Sequence, residues 1–152
     1  MDNNDILRRI RYTLDLNDSK MIELFELGNR EVNRAEISDW LKKDNDPDFQ
    51  SLNDQMFATF LNGLIIEKRG KREGPEAIPE RVLNNNIILK KLKIALNLRT
   101  DDIVYMFRVI DKKISEHELS AFLRNPKQDK YRVCNDQYLR NFLNALQKEF
   151  RE

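Results

Sequence analysis

The strongest constraint on the fold is an internal duplication of the sequence. When the chain is shifted by 82 positions, residues 1–70 align with residues 83–152 without a gap, and 19 aligned positions are identical. The identities include polar runs, since residues 53–55 and 135–137 both read Asn-Asp-Gln. Self-similarity at a fixed period is typical of two copies of one structural unit.

The segment between the copies has the composition of a linker. Residues 70–80 contain two of the four glycines and two of the four prolines in the chain. Glycine and proline both interrupt regular secondary structure. The sequence therefore predicts three parts: repeat 1 (residues 1–70), a linker (residues 71–82) and repeat 2 (residues 83–152).

Each repeat is predicted to form four helices. Apolar residues recur at helical spacing, most clearly over residues 57–64. Asparagines are expected to cap the first helices, and the pairs Asn33 with Glu36 and Ser115 with Glu118 fit capping boxes. A unit of about 70 residues has only a modest core of its own. The predicted fold is therefore all-α, with two tandem four-helix repeats packed into one compact helical protein.

The composition fits an ordinary globular protein in a reducing compartment. The chain has 27 basic and 26 acidic side chains, and 40% of its residues are hydrophobic. The single cysteine, Cys134, excludes an intrachain disulfide, and the first residues show no secretory signal, so a cytoplasmic setting is expected. The longest uncharged stretch, residues 55–66, is shorter than the roughly 20 residues that a membrane span needs, so no membrane association is expected.

The sequence offers no assembled chemistry for a metal or a reaction. Asp44, Asp46 and Asp48 alternate as in a calcium loop, but glycine and the closing glutamate are missing from their places. The only histidine, His117, and the only cysteine, Cys134, have no recognisable catalytic partner. We expect no catalytic residue, no metal and no cofactor, and a protein that is not an enzyme.

Two asparagines on the fourth helices are not explained by the core of either repeat. Asn62 and Asn144 lie about 150° from the apolar stripe at 100° per residue. Small or amide-bearing residues flank them: Thr59, Gly63, Asn141 and Ala145. We predict that this face meets its counterpart in the other repeat, or in a second molecule as a homodimer.

The starts of the same helices suggest a second polar site. A helix cap explains Asn53 and Asn135, but it does not explain the residues that follow them. If the two helix starts converge on a shared cleft, four side chains would line it as a site for a polar ligand or a partner protein: Asp54, Gln55, Asp136 and Gln137.

Basic residues support an alternative function, nucleic-acid binding. They cluster on the first helix of each repeat and around the linker, where they could follow a phosphate backbone. The candidate contacts are Arg8, Arg9, Arg11, Lys90, Lys91, Lys93, Lys71 and Arg72. The structural alternative is that these charges form the normal solvated faces of amphipathic helices.

Four segments resemble a known family. They are the Asn-Asn-x-Ile-Leu opening and residues 60–71, 84–92 and 100–103. In these motifs the chain resembles the YehS-like family, a bacterial family of unknown function. The resemblance implies a small helical cytoplasmic protein with a tandem repeat, and it transfers no catalytic residue. We therefore expect a non-enzymatic binding or regulatory module that acts on another protein, with nucleic-acid binding as the alternative.

Overall fold

The computed structural model describes residues 1–152 and contains eight α-helices and no β-strand. Repeat 1 contributes α1 (Asn3–Thr13), α2 (Asp18–Leu27), α3 (Arg34–Leu41) and α4 (Asp54–Arg69). Repeat 2 contributes α5 (Asn85–Ala95), α6 (Thr100–Val109), α7 (Glu116–Leu123) and α8 (Asp136–Phe150). The all-α prediction, with four helices in each repeat, is confirmed. None of the eight is long and apolar enough to cross a bilayer.

The third helices begin as their sequences predict. At α3 the side chain of Asn33 accepts from the amide of Glu36, whose own carboxylate accepts from the Asn33 amide. Ser115 and Glu118 form the same reciprocal pair at α7. Each box satisfies two amides that a helix start would otherwise leave without partners.

An asparagine caps only one of the two first helices, although the sequence predicts asparagine caps on both. Asp2 caps α1, and Asn84 caps α5. Asn4 is the second residue of α1 and is buried, and its side chain bonds backbone groups of three other residues. Its Nδ2 donates to the carbonyls of Trp40 (2.9 Å) and Gln50 (2.8 Å), and its Oδ1 accepts from the Leu52 amide (3.0 Å).

Repeat 2 repeats this arrangement atom for atom. The Asn86 side chain donates to the carbonyls of Phe122 (2.9 Å) and Arg132 (2.8 Å) and accepts from the amide of Cys134 (3.0 Å). A buried asparagine with its donors and acceptor all paired is stabilising, because it satisfies backbone groups that are partly or fully shielded from water. In each repeat, this asparagine fixes the loop that precedes the last helix.

One hydrophobic core runs through both repeats. Thirty buried residues form a single cluster, which includes Leu7 and Phe57 from repeat 1 and Leu89 and Phe142 from repeat 2. The contacts between repeats follow the duplication: α4 packs on α5, and α1 packs on α8. The shift of 82 residues converts one pair into the other, so the interface has pseudo-twofold symmetry. This confirms that the two repeats form one compact protein.

The small residues of α4 serve a contact within repeat 1. A Cβ atom on Gly63 would lie 1.7 Å from the carbonyl oxygen of Leu24, and one on Gly28 would lie 2.1 Å from that of Thr59. The two glycines therefore let α2 and α4 approach backbone to backbone. The prediction that Thr59 and Gly63 face the other repeat is wrong, because this face is already filled by α2.

The linker folds back on repeat 1. Directly after the linker, the amide of Leu83 donates to the Oδ2 of Asp54 at 2.9 Å. In the middle of the linker, Glu76 accepts from the side chain of Asn29 (2.6 Å) and lies 3.6 Å from the Lys71 ammonium. The linker contains neither helix nor strand, and these side-chain contacts determine its path.

Candidate functional site

Asn62 and Asn144 lie between the two repeats. Lys91 donates to the side-chain oxygen of Asn62 at 2.6 Å, and Arg9 donates to that of Asn144 at 2.6 Å. The shift of 82 residues relates Arg9 to Lys91 and Asn62 to Asn144. The same pairing of a cation with an amide oxygen therefore occurs twice, once on each side of the pseudo-twofold axis.

The pairing is deeply buried on one side of the axis. Asn62 is 5% exposed, and the Lys91 side chain is 13% exposed, with the Glu80 carboxylate 3.2 Å from its ammonium. Burial also lowers the pKa of the Arg9 guanidinium below its usual value, because a desolvated cation is disfavoured. Lys91 is thus engaged inside the protein, whereas Arg9 is half-buried and bonds the exposed Asn144 at the edge of the contact between the repeats.

The remaining basic candidates do not share one environment. Arg8 pairs with Asp5 and donates to the Lys42 carbonyl at 2.7 Å, so its charge is compensated locally. Lys90 and Arg72 are exposed, and neither forms an ion pair. The others are half-buried or paired: Arg11, Lys93 and Lys71.

The two aspartates at the starts of the fourth helices form hydrogen bonds within the protein. Asp54 accepts from the Asn3 side chain at 2.7 Å, and Asp136 accepts from that of Asn85 at 2.8 Å. Asp54 also holds the Leu83 amide, as described above. Each carboxylate thus connects the start of the fourth helix to the start of the first helix of the same repeat.

Gln55 and Gln137 do not share a cleft. Gln55 lies in a groove of about 450 Å³ that is lined by repeat 1 and the linker alone. The lining residues of this linker groove are Gly28, Asn29, Arg30, Asn53, Gln55, Met56, Thr59, Glu76, Ala77, Ile78 and Pro79. Gln137 instead donates to the Asn141 side chain at 3.0 Å on α8. Gln137 does not line this groove, whose second wall is the folded-back linker and not the start of α8.

Cys134 has the properties of a structural thiol. It is 1% exposed, and burial raises its pKa to about 12, with a smaller contribution from the charge of Asp136. At neutral pH a thiol of that pKa is protonated and is therefore a poor nucleophile. No group of three or more His, Cys, Asp or Glu side chains is placed to hold a metal ion.

The two repeats differ strongly in charge, which the near-neutral total conceals. Residues 1–70 carry 10 basic and 14 acidic side chains, whereas residues 83–152 carry 14 basic and 9 acidic ones. Repeat 1 therefore has a formal charge of −4 and repeat 2 a formal charge of +5. Counting charge for each repeat would have shown this asymmetry from the sequence alone.

Part of the excess positive charge lines a pocket of about 270 Å³ in repeat 2. This basic pocket lies between α7 and the loop that follows it, and it is lined by His117, Glu118, Ala121, Arg124, Lys130 and Arg132. Its one carboxylate, Glu118, accepts from the Tyr138 hydroxyl. That hydrogen bond is the main cause that lowers the pKa of Glu118 and raises the pKa of Tyr138.

Comparison with known proteins gives the family of the chain. A family described as "Protein of unknown function (DUF1456)" matches it twice, over residues 3–70 and 85–152. The chain is also similar to a protein of Escherichia coli (strain K12) described as "Uncharacterized protein YehS". The two are 45% identical over 147 residues, which make up 96% of this chain and 94% of that protein. No solved structure matches the chain. The chain thus belongs to the DUF1456 family, whose domain it carries as two tandem copies.

Proposed function

We propose that this protein is a non-enzymatic binding module that recognises another protein through the linker groove. The observation that supports this most directly is Ile78, a large apolar side chain that is 86% exposed on the wall of the groove. Val82, further along the linker, is 74% exposed. Burying such side chains against a partner would supply favourable free energy in proportion to the apolar area removed from water.

The opposite wall of the groove supplies the polar part of such an interface. Asn53 and Gln55 begin α4 there, and both are exposed. Side-chain amides both donate and accept hydrogen bonds, so they can pair with the backbone of an extended peptide segment. An apolar anchor surrounded by polar groups is the usual composition of a specific protein interface.

Other features support binding over catalysis and over the nucleic-acid alternative. The single thiol is buried and protonated at neutral pH, so it is not available as a nucleophile. Two of the cations proposed for nucleic acid, Arg9 and Lys91, are engaged between the repeats. One free, buried cysteine also fits the cytoplasm, the reducing compartment proposed here.

The test is affinity capture from nuclease-treated lysate of the source organism with the wild-type protein and two lysine variants. Ile78→Lys places a charge on the groove wall, and Val133→Lys places one on an equally open site in repeat 2, where Val133 is 75% exposed. We expect one stoichiometric partner to bind the wild type and Val133→Lys. Binding to Ile78→Lys should fall at least tenfold, as for a loss of about 1.4 kcal/mol.

Two results would contradict the proposal. Equal capture of the partner by Ile78→Lys and wild type would show that the groove is not the contact. Loss of all retained material on nuclease treatment would show that nucleic acid, and not a protein, is the ligand. Circular dichroism of both variants checks that the helical fold is intact.

A further inference from the structure

The basic pocket of repeat 2 contains cations that form no ion pair within the protein. Arg124, Lys130 and Arg132 are exposed, and none of them lies within 4.0 Å of a carboxylate oxygen. Three permanent positive charges around one concave surface produce a local field that attracts an anion. His117 adds an imidazole N–H donor to the same lining.

The one carboxylate in the pocket already accepts hydrogen bonds from groups of the protein itself. One oxygen of Glu118 accepts from the Ser115 amide at 3.1 Å, and the other accepts from the Tyr138 hydroxyl. Both oxygens are therefore directed at donors of the fold itself. The guanidinium and ammonium groups keep their own donors free for a ligand.

Repeat 1 provides an internal comparison for this pocket. The loop after α7 is anchored by a bond from the Arg132 amide to the Ala121 carbonyl at 3.2 Å, and the loop after α3 by one from the Gln50 amide to the Asp39 carbonyl at 3.2 Å. The backbone arrangement is therefore the same in both repeats.

The side chains at these matching positions are not the same. Where repeat 2 has His117, Ala121, Arg124, Lys130 and Arg132, repeat 1 has Ala35, Asp39, Lys42, Asp48 and Gln50. The only cation among the latter, Lys42, is paired with Asp39 at 2.7 Å. Because the loop folds in repeat 1 without these free cations, the stability of the fold does not account for them in repeat 2.

The chemistry of the lining favours a phosphate group. A phosphate dianion offers several acceptor oxygens, and arginine matches its geometry with paired donors. The three cations converge on one pocket, whereas a nucleic-acid strand needs charges spread along a track. The +5 charge of repeat 2 would further draw an anion toward this half of the molecule.

We propose that the basic pocket, formed by α7 and the loop after it, binds a single phosphate group, either free or at the end of a small phosphate monoester. The pocket lies in the opposite repeat from the linker groove and shares no residue with it. Phosphate binding can therefore be tested independently of the proposed protein partner.

The test is calorimetric titration of the full chain with inorganic phosphate and with phenyl phosphate at constant ionic strength. Arg132→Gln introduces the residue that repeat 1 has at this position. Lys148→Gln removes one charge from an exposed site on α8, outside the pocket. We expect saturable binding to the wild type, a loss of affinity of at least tenfold in Arg132→Gln, and a change of less than twofold in Lys148→Gln. Tighter binding of phenyl phosphate would identify a monoester as the ligand, and tighter binding of inorganic phosphate would identify free phosphate.

Several outcomes would overturn the proposal. No saturable binding of either probe to the wild type would exclude the site. Equal weakening in both variants would mean that the net charge of repeat 2, and not the pocket, attracts the anion. Tight binding of a single-stranded oligonucleotide, with neither phosphate probe bound, would assign the charges to nucleic acid.

Discussion

Replacing Gly63 with alanine is expected to lower the free energy of unfolding by about 3 kcal/mol, because the new methyl group would overlap a backbone atom. A Cβ atom at this position would lie 1.7 Å from the Leu24 carbonyl oxygen, and backbone cannot move aside as a flexible side chain can. The better helix propensity of alanine, about 1 kcal/mol, does not offset this clash. Chemical denaturation measures the change.

The duplication provides the matched control for Gly63. Ala145 occupies the equivalent position in α8, so Ala145→Gly makes the reverse change at the same place in the fold. Ala145 is buried, so this variant should lose about 2 kcal/mol, the cost of glycine in a helix together with that of the missing methyl group. Unchanged or increased stability of Gly63→Ala would show that α2 and α4 are not in backbone contact.

Replacing Asn4 with alanine is also expected to cost about 3 kcal/mol. The change leaves the Trp40 and Gln50 carbonyls and the Leu52 amide without their partner, and each unsatisfied buried group costs about 1 to 3 kcal/mol. Gln50 and Leu52 lie in the loop that joins α3 to α4, so the loss should also loosen the start of α4. Thermal or denaturant unfolding measures the change.

The equivalent variant in repeat 2 tests whether the role of Asn4 is general. Asn86 makes the same three hydrogen bonds, so Asn86→Ala should destabilise the protein by a similar amount. Alanine in place of the exposed Asn45 serves as a surface control and should change stability by less than about 0.5 kcal/mol. A loss at Asn4 no larger than at Asn45 would contradict the role given to the buried amide.

Local sequence signals were sufficient for the helices. Capping boxes act over three residues and apolar stripes act within one helix, so Asn33, Ser115 and the core of α4 could be assigned from the sequence alone. The alignment of the two halves also separated the repeats from the linker. These features depend on residues that are close together in the chain.

Signals that depend on tertiary contacts were harder to interpret. Asparagine often caps helices, but the Asn4 side chain bonds backbone groups that are more than 30 residues away in the sequence. Arg9 and Lys91 fit a solvated helix face until the other repeat covers them. Gly63 gives no indication of which helix it contacts, because a glycine permits close approach from any neighbour.

The candidate site was the hardest part of the structure to predict from the sequence, because it also depends on tertiary contacts. The linker groove exists because residues 76–79 fold back on repeat 1, and nothing in their own sequence gives that path. The basic pocket could have been suspected, since its charges are visible once each repeat is counted separately. Its concave shape required the packing of α7 against the following loop.

The two duplicated units form one body through the α1–α8 and α4–α5 contacts. The chain contains a natural reporter for each unit: its only tryptophan, Trp40, is buried in repeat 1, and its only cysteine, Cys134, is buried in repeat 2. The decisive measurement is denaturant unfolding followed by Trp40 fluorescence and by pulse labelling of the Cys134 thiol in the same samples. One body gives the same midpoint with both probes. Separate midpoints, with one repeat folded while the other is labelled or exposed, would contradict the account.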